Sequence, residues 1–198
     1  MIFNYIKSNQ NICEEEFDEV YPHLLQSISP VHFSPISVSK SASEYLVDKK
    51  GCRVLDIGAG VGKFCMIGAT CTEGYFVGVE QRKDLCVLAQ EVIERYHLKN
   101  IEIINDNIVN IDFKQFDAFY FFNSFQENIS IADKIDNTCK LSRELYVEYS
   151  MYVREQLELM PIGTKLVTYY SFLKEVPVSY TLQATKFGND LKMWKKSY

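Results

Sequence analysis

Apolar and polar positions alternate in blocks along this chain, and the blocks switch between two periods. Cys52 to Ile57, Tyr75 to Glu80, Ile101 to Ile104, Phe116 to Phe125 and Thr164 to Ser171 are short, almost continuously apolar runs. Such runs suit strands buried on both faces. Between them lie helical-period segments. Ile36, Val38, Ala42, Tyr45 and Leu46 mark one that ends near Asp48, and a second runs from Lys63 to about Thr70. Leu85, Leu88, Val92 and Tyr96 mark a third from Arg82 to about His97, and Leu141, Leu145, Tyr149, Tyr152, Leu157 and Met160 place one or two helices in 131–160. Strand–helix alternation of this kind predicts an α/β fold with a mostly parallel sheet between helical layers. Tyr180 to Thr185 and Leu191 to Trp194 flank Gly188-Asn189-Asp190, which reads as a C-terminal antiparallel hairpin.

The amino-terminal stretch has a different pattern. Glu14-Glu15-Glu16-Phe17-Asp18-Glu19 reads as a solvated helix face, and Leu24, Leu25 and Ile28 continue at helical spacing until Pro30. Val31 to Pro35 is a break, with Pro35 suited to the first turn of the next helix. The expected organisation is a helical cap over residues 1–34 on a single compact domain formed by 35–198.

At 198 residues the chain can bury a sizeable core, and its 47% apolar and 24% charged residues are ordinary for a globular domain. A net charge of −5 argues against nucleic acid as a partner, because phosphate backbones call for clustered Lys and Arg. No apolar run reaches membrane-span length, and Met1 to Gln10 lacks the apolar core of a secretory signal, so a cytoplasmic protein is expected. Six cysteines show no C-x-x-C spacing and no companion histidine cluster; no metal site is expected. Cys52, Cys65 and Cys86 read as small buried hydrophobes in a reduced compartment.

Candidate chemistry begins where the first run ends, at Asp56-Ile57-Gly58-Ala59-Gly60-Val61-Gly62-Lys63. Glycines at a strand-to-helix turn give access to positive φ and let a ligand approach the backbone. A dinucleotide fingerprint would need glycine where Lys63 stands, and a P-loop would need glycine at Ile57 and Ser or Thr at Phe64. Glu80 closes the second run 22 residues after Gly58, the spacing of an acid that accepts hydrogen bonds from ribose hydroxyls. With Asp56-x-Gly58-x-Gly60-x-Gly62 in place, the stretch resembles motif I of the class I S-adenosylmethionine-dependent methyltransferases. The resemblance covers about residues 32–198.

That resemblance implies a three-layer, Rossmann-like methyltransferase fold and S-adenosylmethionine as cofactor. It implies that Asp56, Gly58, Ala59, Gly60 and Gly62 surround the methionine end and that Glu80 and Gln81 meet the ribose and adenine. Asp106, with Asn107 and Ile108, takes the place of the acid and amides that receive the adenine ring. Asn123-Ser124-Phe125 stands at motif IV, where amino-methylating relatives read Asp/Asn-Pro-Pro-Tyr/Phe. The prolines are missing here, which weighs against adenine-N6 and glutamine-amide acceptors. Asn123 thereby becomes the candidate for orienting the acceptor. His32 and Tyr120 are candidates for removing its proton, and Phe33, Ser124 and Phe125 for contacting it. The expected activity is methyl transfer to an N or O acceptor, a protein lysine or other amine, else a small molecule. The alternative is a catalytically silent module that binds the cofactor as sensor or scaffold. An NAD-dependent oxidoreductase is disfavoured by Lys63 and by the terminal hairpin.

Overall fold

The computed structural model describes residues 2–130 and 134–198. Seven strands form one sheet: β1 (Arg53–Ile57), β2 (Tyr75–Glu80), β3 (Ile101–Asn105), β4 (Ala118–Phe122), β5 (Lys165–Tyr169), β6 (Tyr180–Lys186) and β7 (Leu191–Lys196). Their order is β3-β2-β1-β4-β5-β7-β6. The first five are parallel, and β7 inserts antiparallel between β5 and β6. Strand order reverses between β1 and β4, so the crevice outside their carboxyl ends is the natural ligand position.

The helices are α1 (Ile2–Lys7), α2 (Glu14–Asp18), α3 (His23–His32), α4 (Ile36–Leu46), α5 (Lys63–Cys71), α6 (Lys83–Arg95) and α7 (Arg143–Glu158). Side chains alternate across a strand, so neighbouring residues of β1 serve opposite layers. Leu55 and Ile57 join Phe119, Phe121, Tyr149, Val153 and Leu157 in a core under α7. Val54 faces the other way, with Phe64, Phe76, Ala118 and Tyr120 beneath α4 and α5. The cap helices complete that second layer, where Phe3, Ile6, Phe17 and Tyr21 pack with Met66, Ile67, Leu85 and Ala89.

Three sequence expectations need correction. Pro30 does not end its helix: α3 continues to His32, since proline forfeits only its own donor and the Phe33 N–H still reaches the Ser29 carbonyl at 2.9 Å. Val31 and His32 are therefore helical, and the break is confined to 33–35. The acidic run is not uniformly solvated. Glu15, Glu16 and Glu19 are exposed, but Glu14 and Asp18, four residues apart on one helix face, turn inward to Lys63. Of the one or two helices expected over 131–160, the described residues hold one, α7; residues 131–133 lie outside the described residues. It begins at Arg143, where the Ser142 hydroxyl accepts the Leu145 N–H at 3.2 Å.

Candidate active site

The turn from β1 into α5 is built by backbone conformation. Gly58, Gly60 and Gly62 have φ of 75°, 56° and 72°, in the left-handed region. The amides of Gly58 and Ala59 both donate to the Val79 carbonyl at 2.9 Å, which locks the loop to the end of β2. A Cβ on Gly58 would lie 2.4 Å from that of Ser124, so glycine there admits the loop after β4. Gly62 instead faces Ile103, Ala89 and Met66 and serves helix packing.

Glu80, 6% exposed, ends β2 against this loop. Its Oε2 accepts the Gly60 N–H at 3.1 Å and its Oε1 the Arg82 N–H at 2.8 Å. Burial pushes its carboxyl above the ordinary value, with the Arg82 and Gly60 donors opposing. Arg82 then fans out, with Nη2 on Glu127 at 2.7 Å and Nε on Asp136 at 3.2 Å. Asp106 follows β3 and accepts from Asn110 Nδ2 and the Asn107 N–H, both at 2.7 Å, which holds its carboxyl below the usual range. Asn107 donates its side-chain N–H to Tyr149 at 2.8 Å. Asn123 ends β4 at φ 41°, a left-handed conformation that Asn tolerates.

These elements surround a cavity of about 560 Å³ at the carboxyl edge of the sheet, within the range of small-molecule sites. Of the residues expected at the site, Gly58, Gly60, Glu80, Gln81, Asp106, Asn107, Ile108, Asn123, Ser124, Phe125, His32 and Phe33 line it. Asp56, Ala59, Gly62 and Tyr120 do not. Asp56 follows the strand alternation onto the α5 face, where Cys65 donates its thiol at 3.5 Å; burial pushes its carboxyl up to about 7. Tyr120 is 1% exposed, stacked on Phe64 at 3.8 Å and bonded to the Ser34 hydroxyl at 2.7 Å. Burial drives its phenol well above the ordinary value, so a proton-accepting role for Tyr120 is withdrawn. The Ser124 hydroxyl donates to the Ile57 carbonyl and so braces the loop as well as lining the cavity.

Sequence reading missed Arg82, Gln126, Glu127, Phe122, Tyr149, Tyr169, Tyr170 and Phe172, all of which also line the cavity. Tyr169 and Tyr170 were within reach, since they end the fifth strand at the edge where the other ligand residues were sought. Arg82 stands two residues past Glu80, but its acids come from far along the chain.

The cavity fits an adenosyl sulfonium. Exposed loop backbone can meet the methionyl end. Each Glu80 oxygen accepts one N–H and keeps a lone pair for a hydroxyl, and Asp106 lies beside it for the adenine amine. Among the described residues no cluster suited to a metal ion is present, and no helix is long and apolar enough to cross a membrane.

Known structures share this architecture. TrmN from Thermus thermophilus superposes with a TM-score of 0.57 at 14% identity, over 87% of this chain and 51% of that one. An RNA methyltransferase from Salinibacter ruber, in complex with S-adenosyl-L-homocysteine, gives 0.56 at 16% identity over 83% and 93%. A MtNAS mutant in complex with S-adenosylmethionine gives 0.59 at 12% identity over 98% and 72%. The chain thus spans about half the length of the TrmN structure, and an RNA methyltransferase among these neighbours leaves the expectation against nucleic acid without support. No curated protein matches the chain. The family model described as "Methyltransferase domain" matches residues 48–186, so this chain belongs to that family, the class I methyltransferases that use S-adenosylmethionine.

Proposed function

We propose that this protein transfers a methyl group from S-adenosylmethionine to an N or O nucleophile. The observation that carries the reading is the convergence of Gly58, Gly60, Glu80, Asp106 to Ile108 and Asn123 around a single cavity. The bound cofactor supplies an electrophilic methyl on a sulfonium, which a nucleophile displaces in line. The chain's own work is alignment. Glu80 and Asp106 fix the nucleoside, the loop backbone at Gly58 and Gly60 receives the amino-acid end, and the Asn123 carboxamide orients the acceptor. Positioning of this kind supplies on the order of 7–11 kcal/mol of a barrier. His32, which also lines the cavity, is the candidate to receive the acceptor's proton. Residues 1–34 act as a cap, since the end of α3 closes the cavity through Pro30 to Phe33.

Calorimetry with S-adenosylmethionine, S-adenosylhomocysteine and NAD tests the cofactor assignment; failure of both adenosyl compounds to bind ends it. A labelled-methyl assay over cell extract separates an enzyme from a silent binding module. Asn123→Ala is expected to keep cofactor affinity and lose turnover, and the reverse pattern would remove Asn123 from the acceptor's side.

A further inference from the structure

The two ends of the cavity differ in chemistry. Its charged lining residues are Glu80, Arg82, Asp106 and Glu127. All four gather at one end, because Arg82 joins Glu80 to Glu127 and the Asp106 N–H reaches the Glu80 carbonyl at 3.2 Å. At the other end, β4, β5 and the loop that follows contribute Phe122, Tyr169, Tyr170 and Phe172. Ring centroids lie 4.8 Å apart for Phe122 and Tyr169, and 4.6 Å for Tyr169 and Tyr170, with the planes tilted by 49° and 58°. Phe122, Tyr169 and Tyr170 therefore lean on one another, and Phe172 lines the same cavity.

Tyr170 and Phe172 remain 53% and 58% exposed, although both line the cavity. Folding ordinarily covers such area, and scattered single exposures need no explanation, but two exposed aromatics lining the same cavity do. Tyr170 is also held at φ 48°, an uncommon conformation for a bulky residue, with its N–H on the Asp190 carbonyl at 3.1 Å. The start of β7 thus anchors the backbone that carries the exposed ring.

We propose that the methyl acceptor presents a planar aromatic or heteroaromatic ring, bearing the nucleophilic N or O, which stacks against Tyr170 and Phe172. The proposal rests on the methyltransferase reading and names its acceptor class. An alkylammonium is the poorer fit for two reasons. Phe122, Tyr169 and Tyr170 lie 4.6 to 6.4 Å apart and spend part of their faces on one another instead of on a cation. Among the described residues no carboxylate lines that end of the cavity; the one beside it, Asp190, is engaged by the Tyr170 hydroxyl. A ring offers a flat, uncharged face to the wall, and stacking is tolerant of substituents. As the ring's N–C or O–C bond forms, the carbon–sulfur bond breaks, its electron pair stays on sulfur, and the acceptor releases one proton.

Calorimetry on the full chain saturated with S-adenosylhomocysteine tests this with catechol, hydroxyquinoline, a mixed-sequence single-stranded oligoribonucleotide and a lysine peptide. Binding by the free arenes, or by the oligonucleotide alone, supports the ring and tells a small molecule from a polynucleotide base as its source. Tyr170→Ala and Phe172→Ala are each expected to weaken that binding about tenfold. Tyr170→Phe restores it, and S-adenosylhomocysteine affinity is unchanged throughout. A lysine peptide that binds in preference to every ring, or alanine variants that bind rings as well as the parent, would overturn the proposal. If S-adenosylhomocysteine itself fails to bind the parent protein, the cofactor assignment falls first, and that outcome is distinct from either of these.

Discussion

Lys63 and Arg82 are both nearly sealed from solvent, at 2% and 5% exposure, and they tie the amino-terminal helices and the segment after β4 to the sheet by different means. Lys63, the residue after the last loop glycine, places its three donors on Asp18 at 2.7 Å, Glu14 at 2.8 Å and Ser29 at 3.4 Å. All three partners belong to the cap. Arg82 spreads a planar fork over Glu80, Glu127 and Asp136, one acid at the ligand and two from the segment after β4. A compact ammonium suits a single buried pocket of acceptors, and a fork suits carboxylates arriving from several directions. The cap side therefore depends on one point charge that never meets the ligand. The other side routes its support through Glu80, the acid proposed to hold the cofactor.

The largest expected effect breaks the comparison on the Lys63 side. Lys63→Met leaves the Asp18 carboxylate buried without its partner. It should cost roughly 3 kcal/mol of folding stability, the low end for a broken buried pair, because Glu14 is 41% exposed. Urea denaturation measures it, and an unchanged midpoint would mean the cap is held by its apolar contacts alone. Glu80→Ala comes next and should act on binding: about 1.5–3 kcal/mol of cofactor affinity, read by calorimetry. Unchanged affinity would remove Glu80 from the site.

A pH dependence follows behind the loop. Burial raises Asp56 and Glu175 to about 7 from ordinary values of 3.8 and 4.5. A carboxyl whose folded value is raised binds its proton more tightly in the native state, so each group lowers stability as pH climbs from about 4 to 7, then levels off. The slope is about 1.4 kcal/mol per pH unit for each group. Asp56→Asn should flatten it by one group, and a stability that rises across this window would contradict both assignments. The smallest effect sharpens the comparison on the other side. Arg82→Lys keeps the charge but loses the fork, and should weaken cofactor binding by about 1 kcal/mol while melting temperature stays close to that of the parent. Equal losses in binding and in folding would erase the distinction between the two cations.

The cofactor end was largely legible in the sequence because its parts are local. A strand, a glycine turn and a helix are consecutive, and the acid closing the next strand sits at a fixed distance along the chain. Asp56 misled because motif position does not say which face a strand residue takes; β1 alternation turned it to Cys65, away from the cavity. Tyr120 misled for the same reason, its neighbours Phe119 and Phe121 facing the α7 layer while it stacks on Phe64.

Periodicity and short-range spacing are properties of neighbours in the chain, so the amino-acid order by itself determined the strand–helix alternation, the terminal hairpin, the glycine turn and the position of Glu80. Only tertiary structure decided which acids of the run at 14–19 turn inward, what closes around Arg82, and that four aromatics from two strands and a loop line one cavity. Those arrangements depend on residues tens of positions apart, whose proximity is set by how the layers pack.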